Sequence, residues 1–302
     1  MELWIPITVL AAFLQCVRTA LQQKLKALLS TNGANFVRYL YGAPVSLLAL
    51  ALIAQRGGWS LPEASWRFIG FCALGGVAQI VATSLLIYAF TLRNFAVGTA
   101  YSKTETVQAA LFATLLLAEP LSLWAWIGIA ISLFGVWVLS MKGAGRGIAM
   151  VLTGWTQKSA LVGIASGTGF AIAAVSIRAG SLSLPGGDFV TRAIMTLAVM
   201  NSLQTVMMAA YLSWRERSQI LRVVQTWRSS AIVGLLSVIG SACWALAMTL
   251  ENAAHVRAVG QIELIFTFIA SRYLLHERPT TGEITGCVLV VAGVITLLLR
   301  GG

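Results

Sequence analysis

The chain has 302 residues, 58% of them apolar and 10% charged, with 21 basic and 10 acidic side chains. A soluble domain carries roughly 25% Asp, Glu, Lys and Arg, so a water-soluble fold of this length could not hide so much apolar surface. The mean hydropathy of +0.83 points the same way, and lipid is the expected solvent. The net charge of +11 does not argue for nucleic acid, because the basic residues are scattered through short connections. Cys16, Cys72, Cys243 and Cys287 all lie in apolar stretches without CxxC spacing, and read as packing residues.

A helix needs about 20 apolar residues to cross the hydrocarbon core. In chain order the candidates are 3–22, 36–54, 68–90, 96–118, 122–141, 159–179, 189–212, 230–250, 258–275 and 283–299. The first has no basic segment before it and no small-residue cleavage site, so it is expected to be a retained span. It carries Gln15, Arg18, Thr19 and Gln22 at three-and-four spacing, a stripe expected to line a cavity. Arg38 and Arg192 hold equivalent early positions in the second and seventh spans, where contact with lipid headgroups is the expected role. Arg178, near the end of the sixth span, is expected to snorkel likewise.

In the fourth span Glu105 shares a helical face with Gly98, Tyr101, Ser102, Gln108 and Phe112. Lys103 lies about 200° from Glu105 on a continuous helix. It is therefore expected to address a different neighbour. The eighth span puts Ser237, Ser241, Trp244 and Met248 on one face, where Trp244 can stack on a substrate or simply pack. The matching face of the ninth holds Val256, Val259, Gly260, Glu263, Phe266 and Thr267. Ionisable residues in spans normally face a cavity or a partner. Two readings stand for each glutamate: proton exchange with substrate, or a permanent pair with an arginine.

Asn94–Gly135 overlays Asn252–Gly293 without a gap at a constant shift of 158 residues. Asn94 meets Asn252, Glu105 meets Glu263, Glu119 meets Glu277, Gly128 meets Gly286 and Gly135 meets Gly293. The chain thus reads as a duplicated five-helix unit, 1–142 and 158–302. Five is odd, so the second copy enters the membrane upside down, an arrangement typical of secondary transporters. The expected fold is an all-α membrane protein of ten transmembrane helices, two inverted five-helix repeats around a central cavity. Gln15, Arg18, Tyr101, Glu105, Trp244 and Glu263 are expected at the cavity wall, with Lys103 as a further substrate or coupling residue. Arg18 or a substrate ammonium would stand between the glutamates. Glu119 and Glu277, before Pro120 and Pro279, are expected to cap helices.

Each copy resembles an EamA unit of the drug/metabolite transporter superfamily. The carrying residues are Leu115-Leu116-Leu117-Ala118-Glu119-Pro120-Leu121, Trp126-Ile127-Gly128 and Phe134-Gly135-Val136 in the first copy. In the second they are Leu274-Leu275-His276-Glu277-Arg278, Gly286 and Ala292-Gly293-Val294. The resemblance implies ten helices, export or exchange of small metabolites, and a place in the cell (inner) membrane with both termini cytoplasmic. One departure stands out: the family often has Pro where this chain has Thr106 and Leu264. Basic residues at the connections favour the opposite orientation. Arg56, Arg67, Arg257 and Arg300 lie on the side of the termini, against a larger set on the other side.

Three function classes compete. The favoured one is a secondary active transporter, exporter or exchanger, of a small polar or zwitterionic metabolite such as an amino acid, proton-coupled through the glutamates. A multidrug or lipid-type transporter of the same fold would want a more apolar cavity. A membrane enzyme would need clustered catalytic groups, whereas His255 and His276 sit singly. No GxxxxGK[ST] loop occurs, so ATP is not the expected energy source. No cofactor or metal is expected. The expected partners are a small-molecule substrate and membrane lipid, not nucleic acid, in a monomer or homodimer.

Overall fold

The computed structural model describes residues 2–25, 27–57, 61–92, 101–140, 158–266, 269 and 281–300. Its regular elements are helices: α1 (Trp4–Leu25), α2 (Thr31–Arg56), α3 (Trp66–Leu92), α4 (Glu105–Leu117), α5 (Leu123–Ser140) and α6 (Lys158–Ser183). There follow α7 (Phe189–Arg215), α8 (Arg217–Gln225), α9 (Trp227–Leu250), α10 (Ala253–Val259), a 3-10 turn (Gly260–Ile262) and α11 (Thr281–Arg300). Among the described residues, six stretches are long and apolar enough to cross a membrane: Trp4–Gln22, Thr31–Arg56, Trp66–Ala89, Ala160–Ser183, Phe189–Arg215 and Trp227–Leu250. Glu105–Leu117, Leu123–Val138 and Ile284–Leu299 are apolar but shorter.

Local chemistry sets the helix ends. Ser30 accepts from Gly33 N at the start of α2, and Asp188 from Thr191 N at the start of α7. Hydrogen bonds from Thr191 hold the Asp188 carboxyl below the usual carboxylate range. Helix α4 stops at Ala118, which adopts the left-handed φ of 53° common at helix C-termini. The cap of α5 is Ser122, whose hydroxyl accepts from Ala125 N. The helix begins at Leu123, three residues past Pro120, so the residue at its N-cap position is Ser122. Glu277 lies outside the described residues, as do Gly98 and Thr267. Two corrections concern boundaries. The ninth span starts earlier than expected, at Ala253, and the charged break after Trp214 contains a helix, α8.

The chain divides into two compact units, Met1–Ile80 with Ile172–Asn252, and Val81–Ala171 with Ala253–Gly302. Each takes segments from both halves of the sequence. In the first unit α1 packs on α9, α2 on α7 and α9, and α8 on α7 and α2. One apolar cluster there joins Leu25, Leu29, Phe36, Val37, Tyr39, Met208, Leu212, Val223 and Val233.

In the second unit α5 packs along α11 through small residues. A Cβ on Gly128 would lie 2.7 Å from Gly293 O, and one on Gly135 would lie 2.8 Å from Gly286 O. Rising numbers on α5 therefore meet falling numbers on α11, and the two helices run antiparallel. With no difference in polarity between lipid and side chain to drive association, such close backbone approach is what holds apolar helices together. A Cβ on Gly293 would meet Gly128 O and Ser132 N, each at 2.6 Å. Both are backbone atoms, which cannot swing away. Gly293→Ala should therefore destabilise the protein by about 1–3 kcal/mol, read as a lowered unfolding temperature in detergent; an unchanged temperature would contradict this packing.

Candidate functional site

In the segment expected as the fourth span, the described residues do not form one continuous helix. At residues 101–106 the backbone tightens to i→i−3 bonds, Thr104 N to Tyr101 O and Thr106 N to Lys103 O, before α4 proceeds from Glu105. The ninth span tightens at the equivalent place, the 3-10 turn Gly260–Ile262 just before Glu263. Short 3-10 segments inside helices often mark hinges or functional sites. Here they change where side chains point, since the turn per residue rises from about 100° to about 120°.

Lys103 addresses another segment, as expected of it, and comes near Glu105 as well. Its ammonium lies 3.7 Å from Glu105 Oε1 and donates to Glu263 Oε2 at 2.6 Å. The 200° separation assumed an unbroken α-helix; at about 120° per residue the two side chains stand about 120° apart the short way round instead of about 160°, a gap that their length spans. Arg257, expected in a connection, is the other cation: its Nη1 is 3.5 Å from Glu105 Oε1. It falls inside because the ninth span begins at Ala253. All four groups are buried, with side-chain exposures of 5–6%. Each half of the sequence thus supplies one cation and one carboxylate, and each carboxylate meets a cation of the other half. Among the described residues of this unit, the cations beside the two glutamates are Lys103 and Arg257.

A neutral network backs the charges. Gln261, fully buried, donates from Nε2 to Thr106 Oγ1 at 2.9 Å, while its Oε1 accepts from Ser132 Oγ. Thr106 stands where the family often has Pro, so this departure supplies a hydroxyl that Pro lacks. Tyr101 is half-buried and its carbonyl accepts from Thr104 Oγ1. Gln108 in turn donates to that Thr104 hydroxyl at 3.1 Å. Gly167 of α6 lets a backbone approach the break: a Cβ there would sit 2.7 Å from Ser102 O and 3.1 Å from Glu105 N. Sequence reasoning missed Arg257, Gln261 as a hydrogen-bonding residue, Ser132 and Gly167. The shift of 158 pairs Gln261 with Lys103 and was the available signal for it.

The other expected residues lie in the first unit. Trp244 Nε1 donates to Gln15 Oε1 at 3.0 Å, joining α9 to α1. Arg18 is buried and donates from Nη2 to Thr19 Oγ1, and Gln22 donates to Ala34 O on α2. The Gln15–Gln22 stripe is thus engaged with protein groups along much of its length. Two arginines behave otherwise than expected. Arg178 donates to Met248 O and Glu251 O, binding the carbonyls that end α9, a favoured place for a cation. Arg38 is buried, its guanidinium 5.4 Å from the Tyr39 ring centroid, so it does not reach for headgroups.

Comparison with known proteins fits this arrangement. The profile of the EamA-like transporter family matches residues 2–141 and again residues 157–299. The chain belongs to that family. An EamA chain with these apolar helices is a multi-pass membrane protein. A solved structure titled only "Crystal structure of protein" aligns with a TM-score of 0.72 and 17% identity, over 98% of this chain and 97% of its own. At that identity the likeness is one of fold.

Burying a charge pair is tolerable only while both members remain. Lys103→Met leaves two carboxylates facing Arg257, and should cost about 3–5 kcal/mol of stability. Lys103→Met combined with Glu263→Met restores neutrality, and should cost clearly less. Thermal unfolding of the purified variants measures this; a double variant no more stable than the single would mean that the pair does not compensate.

Proposed function

We propose that this EamA protein is a secondary active transporter, exporter or exchanger, of a small zwitterionic metabolite such as an amino acid, at the cell (inner) membrane. The observation that carries the reading is the crossed quartet Lys103–Glu263 and Arg257–Glu105. It is neutral in sum, so any ligand that enters must leave it neutral or incur the cost of an unpaired buried charge, about 3–5 kcal/mol. A zwitterion does so. Its carboxylate takes Lys103 or Arg257, its ammonium takes the glutamate released, and the balance is kept throughout. A lone cation, as most multidrug substrates are, would leave both protein cations facing it.

The proposed architecture is ten spans in two inverted five-helix repeats. Its support is the antiparallel contact of α5 with α11, in which Gly128–Gly293 and Gly135–Gly286 exchange under the shift of 158 residues. The ion pairs cross between the halves in the same sense. Discontinuous helices at matching places in two halves are where transporters of this kind hold substrate, and both tightened segments lie beside the quartet.

Glu105 is the proposed coupling group. Its contact with Arg257 is the longer of the two pairs, 3.5 Å against 2.6 Å for Lys103–Glu263. Glu105→Gln should cost stability, as any change that leaves a buried charge unpaired does, and the protein that still folds should show uptake that no longer responds to an imposed proton gradient in vesicles. Retained gradient-driven uptake by that variant would exclude Glu105 as the coupling residue.

A further inference from the structure

Helix α8 and the ends of the spans it joins form a surface that transport does not explain. Helix α8 links α7 to α9, two of the helices long enough to cross a membrane, so it lies level with their ends. Its inner face is fixed. Val223 is fully buried in the apolar cluster, and Tyr41 donates its hydroxyl to Val223 O at 3.1 Å. Glu216 accepts from Ser30 Oγ and Asn32 Nδ2, and Gln219 Oε1 accepts from Ser30 N, all at the start of α2. The acidic residue of this segment is thus turned inward.

The outer face is apolar and cationic at once. Leu221 is 61% exposed and Val224 52%. Trp214 and Trp227, at the two ends, are 73% and 57% exposed. Arg215, Arg217, Arg222 and Arg228 are all exposed as well. Two of these stack on the tryptophans, Arg215 with its guanidinium 4.3 Å from the Trp214 ring centroid and Arg228 5.7 Å from that of Trp227. Amphipathic rings favour the headgroup level of a bilayer. Stacking holds a guanidinium flat while leaving its N–H edge open to a phosphate. A short helix with apolar residues beside arginines is built to lie in that plane.

We propose that α8 with its flanking residues is a docking surface for anionic phospholipid headgroups, held by Arg215, Arg217, Arg222 and Arg228 with Trp214 and Trp227 as interfacial anchors. Charge complementarity selects the occupant: four exposed cations, the local carboxylate engaged elsewhere, and apolar side chains that suit acyl chains rather than a free phosphate in water.

The test uses the full chain in vesicles of phosphatidylcholine containing a minor share of phosphatidylglycerol, with one or the other lipid brominated to quench tryptophan. The sequence has ten tryptophans, so Trp214→Phe with Trp227→Phe isolates their contribution by difference. Brominated phosphatidylglycerol should quench that contribution more strongly than brominated phosphatidylcholine at equal mole fraction. Each single Arg→Gln substitution should lower the preference by up to roughly fivefold at low salt, less as salt is added, and the quadruple variant should abolish it. The single variants keep the test intact if the quadruple one does not fold. Equal quenching by the two lipids, as a protein partner at this surface would give, overturns the proposal. So does a preference that survives the Arg→Gln changes, or one that soluble glycerol phosphate removes.

Discussion

Four charges can stay buried in one packed unit only if they cancel, and in the second unit they cancel crosswise. A single charge at mid-membrane costs at least about 2.5–3.5 kcal/mol, which neither apolar packing nor a lone hydrogen bond offsets cheaply. Lys103 and Arg257 answer Glu263 and Glu105 one for one. That constraint reaches outward into the backbone. The 3-10 tightening at 101–106 and 260–262 aims the side chains at each other, and Gly167 makes room for the first of these segments. Gln261, Thr106 and Ser132 hydrogen-bond to one another beside the charges.

The same unit shows how a duplicated sequence produces a balanced site. Each half brings one cation and one carboxylate, Lys103 with Glu105 and Arg257 with Glu263, and the shorter contacts run between the halves. The glycine contacts of α5 and α11 follow the same rule, with Gly128 answering Gly293 and Gly135 answering Gly286. Backbone approach there fixes the frame, and the crossed pairs sit in it. The proposed exchange of a zwitterion needs both parts, since a neutral ligand site is useful only if the cations and carboxylates are held apart at set distances.

Much of the architecture was legible in the sequence because hydrophobicity alone sets it: each described helix except α8 and α10 falls on an apolar stretch of the expected kind. The glutamates were legible too, since acidic residues are rare in this chain and recur at a fixed shift. What failed was geometry inside the spans. Lys103 was placed away from Glu105 by assuming 100° per residue through a segment that tightens. Arg257 was assigned to a connection because apolar content marks where a helix is buried in lipid, whereas Ala253–Val259 is buried in protein. Arg178 is as near a span end as expected, yet backbone carbonyls of Met248 and Glu251 hold it instead of headgroups. Helix α8 was hidden for the opposite reason, its charges reading as a break when they form one face of a helix.

The account turns on a site that must stay neutral, and ligand charge tests that most directly. Proteoliposomes loaded with a panel of amino acids would be challenged with each labelled amino acid, its methyl ester and its N-acetyl form. Those three carry respectively both charges, only the ammonium, and only the carboxylate. The account predicts that at least one free amino acid exchanges and that both of its singly charged derivatives fail. Exchange of a methyl ester as fast as its parent amino acid would show that the site does not need the carboxylate. The crossed quartet would then have to be read as a structural clamp alone.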